Sequence, residues 1–175
     1  MKITIAITGA SGSSLGLKLL KALPNSIDKH LILSDSAKAV LQIEEQVSIH
    51  DDQNIASALS SGSFGTDVMM IVPCSMNTVA KISNGIADNL TTRAASVMIK
   101  EHKTLLIAPR EMPLSSIALE NLLKLSQNGV IIAPPLLAYY SKQQTLEQME
   151  SFMVGRWLDL VGVDNKLYKR WGEDA

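Results

Sequence analysis

A chain of 175 residues with 46% apolar and 19% charged residues has the composition of one globular domain with a sizeable core, not of a disordered segment. Its formal net charge of −1 argues against nonspecific nucleic-acid binding, which needs a basic face. A single cysteine excludes an internal disulfide or a multi-cysteine metal site, and no His/Asp/Glu spacing suggests another metal centre.

In chain order, residues 3–8 read as a buried strand, β-branched and without polar alternation. This run is too short for a signal h-region or a membrane span, so a soluble, cytoplasmic protein is expected. Gly9 to Gly12 break it, and a helix follows over 13–23, with Leu15, Leu19 and Leu20 (or Leu23) at helical spacing. Residues 30–33 form a second short strand. Ser34 or Ser36 is placed to cap a helix through 37–45. The stretch 47–63 is more polar and gives no clear assignment. Residues 68–72 form a third buried strand, ended by Pro73. Ser75 is placed to cap a helix over 76–82. Asp88 or Asn89 opens another helix that runs to Lys100. A fourth strand over 104–108 precedes a helix over 116–127, whose end at Asn128-Gly129 is a left-handed cap signal. A fifth strand spans 130–132, and the last long helix covers 145–160. The tail is polar, but Leu167, Tyr168 and Trp171 suggest that it docks.

Apolar strands alternating with helices predict a Rossmann-like, doubly wound parallel sheet in three α/β/α layers. One domain covers residues 1–175, with 163–175 as a tail docked over the site or a neighbouring subunit. Such sheets bind ligands beyond the carboxyl ends of their strands, so the strand-to-helix turns are the candidate site. The first, TGASGSSLG, offers small residues, backbone N–H groups and hydroxyls suited to a phosphate, or is simply a tight turn. The third, PCSMNT, holds the lone Cys74. Nothing local prepares it as a thiolate, so it is expected to be a buried residue beneath the turn, with Ser75, Asn77 and Thr78 facing a ligand. The fourth, PREMPL, fixes Arg110 and Glu111 between prolines; the two either pair with each other or present Arg110 to a phosphate. Arg93 lies early in its helix, where the macrodipole disfavours a cation unless an anion such as Asp88 or a ligand offsets it. Arg156 follows Met149, Phe152 and Met153 and precedes Leu160, which puts it on an apolar face, where a charge must be paired or must line a site. Snorkelling at the core edge or a subunit contact is the alternative.

Taken together, ITGASG (7–12), SSGSF (60–64), PCSMNTVAKISNGIADNLTTRAA (73–95), PREMPLS (109–115), LENLLKLSQNGVIIAPPLLAYY (119–140) and VGRWLDLVG (154–162) resemble the flavin prenyltransferases of the UbiX type over nearly the whole chain. The resemblance implies a Rossmann-like flavoprotein that binds reduced FMN. It also implies transfer of a dimethylallyl group from dimethylallyl phosphate to N5 and C6 of the isoalloxazine, without a metal. The prenylated FMN would pass to a UbiD-type decarboxylase, and the assembly would be a homododecamer with sites between subunits. It further implies FMN contacts at Gly9, Ala10, Ser11, Ser34, Ser75, Met76, Asn77, Thr78 and Arg110. Prenyl-donor contacts would fall on Tyr140 and Arg156, with Arg93, Lys100 and Arg110 around the phosphate. Glu44 and Glu111 would steer protons or stabilise charge, and Trp171 would cover the site. Many relatives carry Lys in place of Asn77 and His-Arg-Pro in place of Ser141-Lys142-Gln143. Competing readings are an FMN-dependent cysteine decarboxylase, an aromatic-acid decarboxylase and a non-catalytic flavin carrier. The first needs a catalytic histidine that SSGSFGTD (60–67) does not contain. The second has no evident acid–base device, and the third needs only one phosphate site.

Overall fold

A computed structural model describes residues 1–9, 12–33 and 46–172. Ala10, Ser11, Ser34, Glu44 and the helix expected through 37–45 lie outside the described residues. Six parallel strands run β1 (Lys2–Ile7), β2 (Asp28–Leu33), β3 (Val47–Asp51), β4 (Val68–Cys74), β5 (Thr104–Pro109) and β6 (Ile131–Ile132), in the spatial order β3-β2-β1-β4-β5-β6. The described α-helices are α1 (Ser13–Ala22), α2 (Met76–Ser83), α3 (Leu90–Lys100), α4 (Ser116–Gln127) and α5 (Leu146–Leu160). This is the Rossmann-like, doubly wound α/β domain that the alternation predicts.

The strand pleat sorts the core into two halves, since successive side chains point to opposite faces. Ile3, Ile5 and Ile7 of β1, with Met70 and Val72 of β4, pack against Leu15 and Leu19 of α1 and Val154, Trp157 and Leu158 of α5. Ala6, Met69 and Ile71 point the other way, onto Val79 of α2, Leu90, Ala94 and Met98 of α3 and Leu125 of α4. Because both faces are covered, the inner strands read as unbroken apolar runs.

Helix ends follow local chemistry. Ser75 and Ser115 accept hydrogen bonds from Thr78 N and Ala118 N, and Asn89 and Thr145 form capping boxes with Thr92 and Gln148. Asn89, not Asp88, caps α3; Asp88 pairs with Lys81 at 2.7 Å and so does not offset Arg93. Gly129 takes φ +79° after Asn128, as the left-handed stop requires.

Two features differ from the sequence reading. Val47–Asp51 is a strand: at the sheet edge one face and one ladder suffice, so its polar residues stay in solvent. Pro73 also does not end β4. The strand continues to Cys74 through a shift in its register with β5, and pairing resumes at Cys74 opposite Pro109. The Pro73 carbonyl still accepts from Thr8 N at 3.2 Å, which keeps the end of β4 tied to the end of β1. Among the described residues no helix is long and apolar enough to cross a membrane.

Candidate active site

Strand order reverses between β1 and β4, which sends their following turns to opposite faces and opens a crevice beyond their carboxyl ends. Thr8, Gly9, Pro73, Cys74, Ser75, Met76, Arg110 and Glu111 line it. The two turns are stitched together: Ser75 N donates to Thr8 Oγ1 at 2.9 Å, and Thr8 Oγ1 donates to the Pro73 carbonyl at 3.2 Å. Thr8 did not stand out in the sequence, because only the β1–β4 pairing brings it to Ser75. Gly9 holds φ +78°, a conformation that any other residue adopts only with strain. Gly16 lets α1 lie on the strands: a Cβ there would come within 2.3 Å of the Val72 carbonyl oxygen.

Of the expected FMN contacts, Gly9, Ser75, Met76 and Arg110 face this crevice. Thr78 is buried, its hydroxyl 2.9 Å from Ser75 Oγ, and Asn77 is exposed on α2. The first turn of α2 leaves N–H groups without intrahelical acceptors, a positive end suited to an anion or an electron-rich ring edge. Arg110 N is tied to the Cys74 carbonyl at 3.3 Å, which aims the side chain over the crevice. Its guanidinium has no hydrogen bond or ion pair among the described residues, and Glu111 accepts instead from Met112 N at 3.1 Å. The Arg110–Glu111 pair is therefore not formed. A small-walled crevice with an uncommitted guanidinium fits a nucleotide phosphate or flavin edge.

Cys74 is fully buried and shows no features of a nucleophile. Burial pushes its thiol up to about 12, against a smaller lowering from the Thr8 hydrogen bond. His50 is engaged elsewhere, 3.1 Å from His30 and 2.9 Å from Ser57. Folded protein is expected to resist iodoacetamide at pH 8, and Cys74→Ala is expected to cost about 1 kcal/mol of stability while keeping activity. Rapid alkylation of the folded protein, followed by mass spectrometry, would contradict this.

A second cluster surrounds α5. Tyr140 meets Phe152 at 6.0 Å and Trp171 at 5.6 Å, and Phe152 meets Tyr168 at 4.9 Å, all edge-to-face. The tail thus docks on α5 of its own chain. Tyr140 and Trp171 wall a cavity of about 560 Å³ together with Lys142, Lys169 and Arg170. Arg156 is not on the core face as its spacing suggested. The buried stripe runs through Phe152, Val154, Trp157 and Leu158, Leu160 is itself exposed, and the Arg156 side chain is 46% exposed. It lies on the helix flank, where Nη1 donates to Tyr168 Oη at 3.3 Å and Asp159 Oδ2 at 3.4 Å. The Tyr168 bond pushes its pKa further above the arginine range.

Arg93 and Lys100 are exposed on α3. Lys100 pairs with Glu101, and Arg93 has no ion pair among the described residues. Since α3 and α5 cover opposite faces of the sheet, one protomer does not bring Arg93 to Arg156. The helix carrying Arg93 is instead anchored from the loop after β3: Asp52, nearly buried, accepts from Thr91 N and Asn89 Nδ2, each at 2.8 Å. Among the described residues no group of three His, Cys, Asp or Glu side chains converges as for a metal.

A Rossmann-like sheet with a small-residue crevice over its switch point and a guanidinium above it defines a nucleotide-binding α/β domain. The family model described as flavoprotein matches residues 1–157. The flavin prenyltransferases UbiX of Helicobacter pylori and Campylobacter jejuni are 45% and 46% identical, covering 98% of this chain and 99% and 98% of theirs. This chain belongs to the flavoprotein family, within its UbiX flavin prenyltransferases. Among solved structures, a dodecameric FMN-dependent UbiX-like decarboxylase from Escherichia coli O157:H7 superposes with TM-score 0.89 at 41% identity, covering 98% of this chain and 99% of that one. AnUbiX (PadA1) in complex with FMN and dimethylallyl pyrophosphate gives 0.90 at 39% identity, covering 98% of this chain and 97% of that one. The FMN-binding protein AtHal3, at 19% identity, shares the fold.

Proposed function

We propose that this protein is a flavin prenyltransferase that joins the dimethylallyl group of dimethylallyl phosphate to N5 and C6 of reduced FMN. The observation that carries this reading is the uncommitted Arg110 guanidinium over the switch-point crevice in a chain 45% identical to flavin prenyltransferases over nearly its full length. Reduced FMN, when bound, supplies the nucleophilic ring atoms. Gly9, Ser75, Met76, Asn77, Thr78 and Arg110 hold it, together with Ala10, Ser11 and Ser34, which lie outside the described residues. Arg156 and Tyr140 bind the donor phosphate, and Trp171 with Tyr140 excludes water from the allylic carbons.

The electrostatics support this division. Breaking the allylic C–O bond leaves positive charge on carbon and a phosphate dianion. Fixed guanidinium and ammonium groups stabilise the leaving group without a metal, while electron-rich rings in a dry enclosure suit the carbocation. Glu111, beside Arg110 at the crevice mouth, and Glu44 take the proton-steering roles. Arg93 and Lys100 reach the same phosphate only from a second copy, because α3 and α5 lie on opposite faces of the sheet. Met112, Ile117, Leu119, Leu123, Leu136 and Leu137, on and beside α4, are exposed apolar side chains, and their burial between copies supports assembly into the dodecamer. We assign the product, prenylated FMN, to a UbiD-type decarboxylase, and the protein to the cytoplasm.

The test is anaerobic incubation with reduced FMN and dimethylallyl phosphate, read by mass spectrometry. FMN carrying one dimethylallyl unit is the expected product. Bound FMN without adduct would overturn the proposal in favour of a carrier or decarboxylase.

A further inference from the structure

We infer that Asp159 is a positioning residue for the prenyl-donor site, its carboxylate fixing both the Arg156 guanidinium and the tail that brings Trp171 against Tyr140. This rests on the reading of Arg156 as a donor-phosphate ligand. Donors converge on both carboxylate oxygens. Oδ2 accepts from Arg156 Nη1 at 3.4 Å, Arg170 Nη1 at 3.0 Å and the Tyr168 hydroxyl. Oδ1 accepts from Arg170 Nη2 at 2.8 Å and Asn165 Nδ2 at 2.9 Å. Arg170 therefore binds end-on and bidentate through both terminal nitrogens, a geometry that fixes direction as well as distance. The Asp159 side chain is only 14% exposed. Burial works to raise its carboxyl, but the bonds from Arg170, Tyr168 and Asn165 outweigh it and hold it below the usual carboxylate range.

The consequence for Arg156 is directional. Asp159 and Tyr168 both engage Nη1, and among the described residues Nε and Nη2 make no hydrogen bond. That leaves one edge of the fork for a phosphate. Asp159 is the only carboxylate paired with Arg156 among the described residues, so without it this orientation loses its anchor. The tail is placed by the same residue. Arg170 lies 5.5 Å over the Tyr168 ring, Tyr168 packs on Phe152, Phe152 on Tyr140, and Tyr140 on Trp171. Gly155 completes the seat from the helix side. A Cβ there would lie 2.5 Å from Tyr168 Cδ1 and 2.9 Å from Asn165 Oδ1, so only a missing side chain lets the ring lie this close.

The experiment compares wild type with Asp159→Asn, Asp159→Glu and Gly155→Ala, each judged folded by FMN titration. Asp159→Asn is expected to raise KM for dimethylallyl phosphate about 10-fold, with kcat and the Kd for FMN little changed. Trypsin should cleave the tail after Lys166 or Lys169 about 10-fold faster as the clamp opens. Asp159→Glu should recover part of the loss, and Gly155→Ala should reproduce the faster cleavage from the opposite side of the contact. A merely structural role would lower kcat and FMN occupancy together. Unchanged KM, whether the tail opens or not, would overturn the positioning role, and unchanged cleavage would overturn the clamp. Should wild type form no adduct, the prenyl-transfer reading falls, while the cleavage rates still decide whether Asp159 holds the tail.

Discussion

Arg156→Ala is expected to bind FMN as wild type does and to lose prenyl transfer by about 10²- to 10³-fold, the range for removing one preorganised donor from a developing anion. The fold does not depend on this side chain. It is about half exposed, and its two hydrogen bonds are long, at 3.3 and 3.4 Å. The residues that seat α5, namely Val154, Trp157 and Leu158, stay in the core, and the Trp157 ring N–H keeps its 2.9 Å bond to the Ala133 carbonyl. The crevice with Arg110 is built by other elements, so FMN affinity should not move. Arg156→Lys should restore little, because an ammonium cannot hold Asp159 and offer a flat second edge to phosphate. Single-turnover transfer beside an FMN titration separates the two quantities. Unchanged transfer would remove Arg156 from the donor site.

Arg110→Ala should show the opposite split. The guanidinium has no protein partner among the described residues to leave unpaired, so the free protein is expected to unfold at the wild-type Tm. Affinity for FMN should fall about 10- to 100-fold, the loss of a charge-assisted pair. The thermal shift produced by a fixed FMN concentration should shrink with it, since that shift follows the ratio of ligand to Kd. An unaltered thermal shift would place Arg110 outside the FMN site.

Where local chemistry decides, the sequence was legible. Helix α4 spans Ser116–Gln127 as expected, because Ser115 and Asn128-Gly129 cap it without outside help. Ser75 is the N-cap foreseen for α2, and Cys74 is buried beneath the turn. Asp159 was open to reading as a helical i, i+3 partner of Arg156. Its other partners, Asn165, Tyr168 and Arg170, lie beyond the helix end and were not. Arg156 was misplaced because Met149, Phe152, Met153 and Leu160 suggest an apolar face, yet the helix turns a different stripe inward. Spacing defines a stripe, but the surface that receives it selects which one is buried.

By itself, then, the sequence determined the parallel α/β class, most helix ends and the turns that line the switch-point crevice, since pleat, capping and turn preferences act over a few residues. Only the tertiary structure decided which of those turns meet and which cations are neighbours. Right-handed crossovers that step in opposite directions from β1 and β4 put helices on opposite faces. The pairing of β1 with β4 places Thr8 beside Ser75, and the packing of α3 and α5 against opposite faces separates Arg93 from Arg156 by the thickness of the sheet.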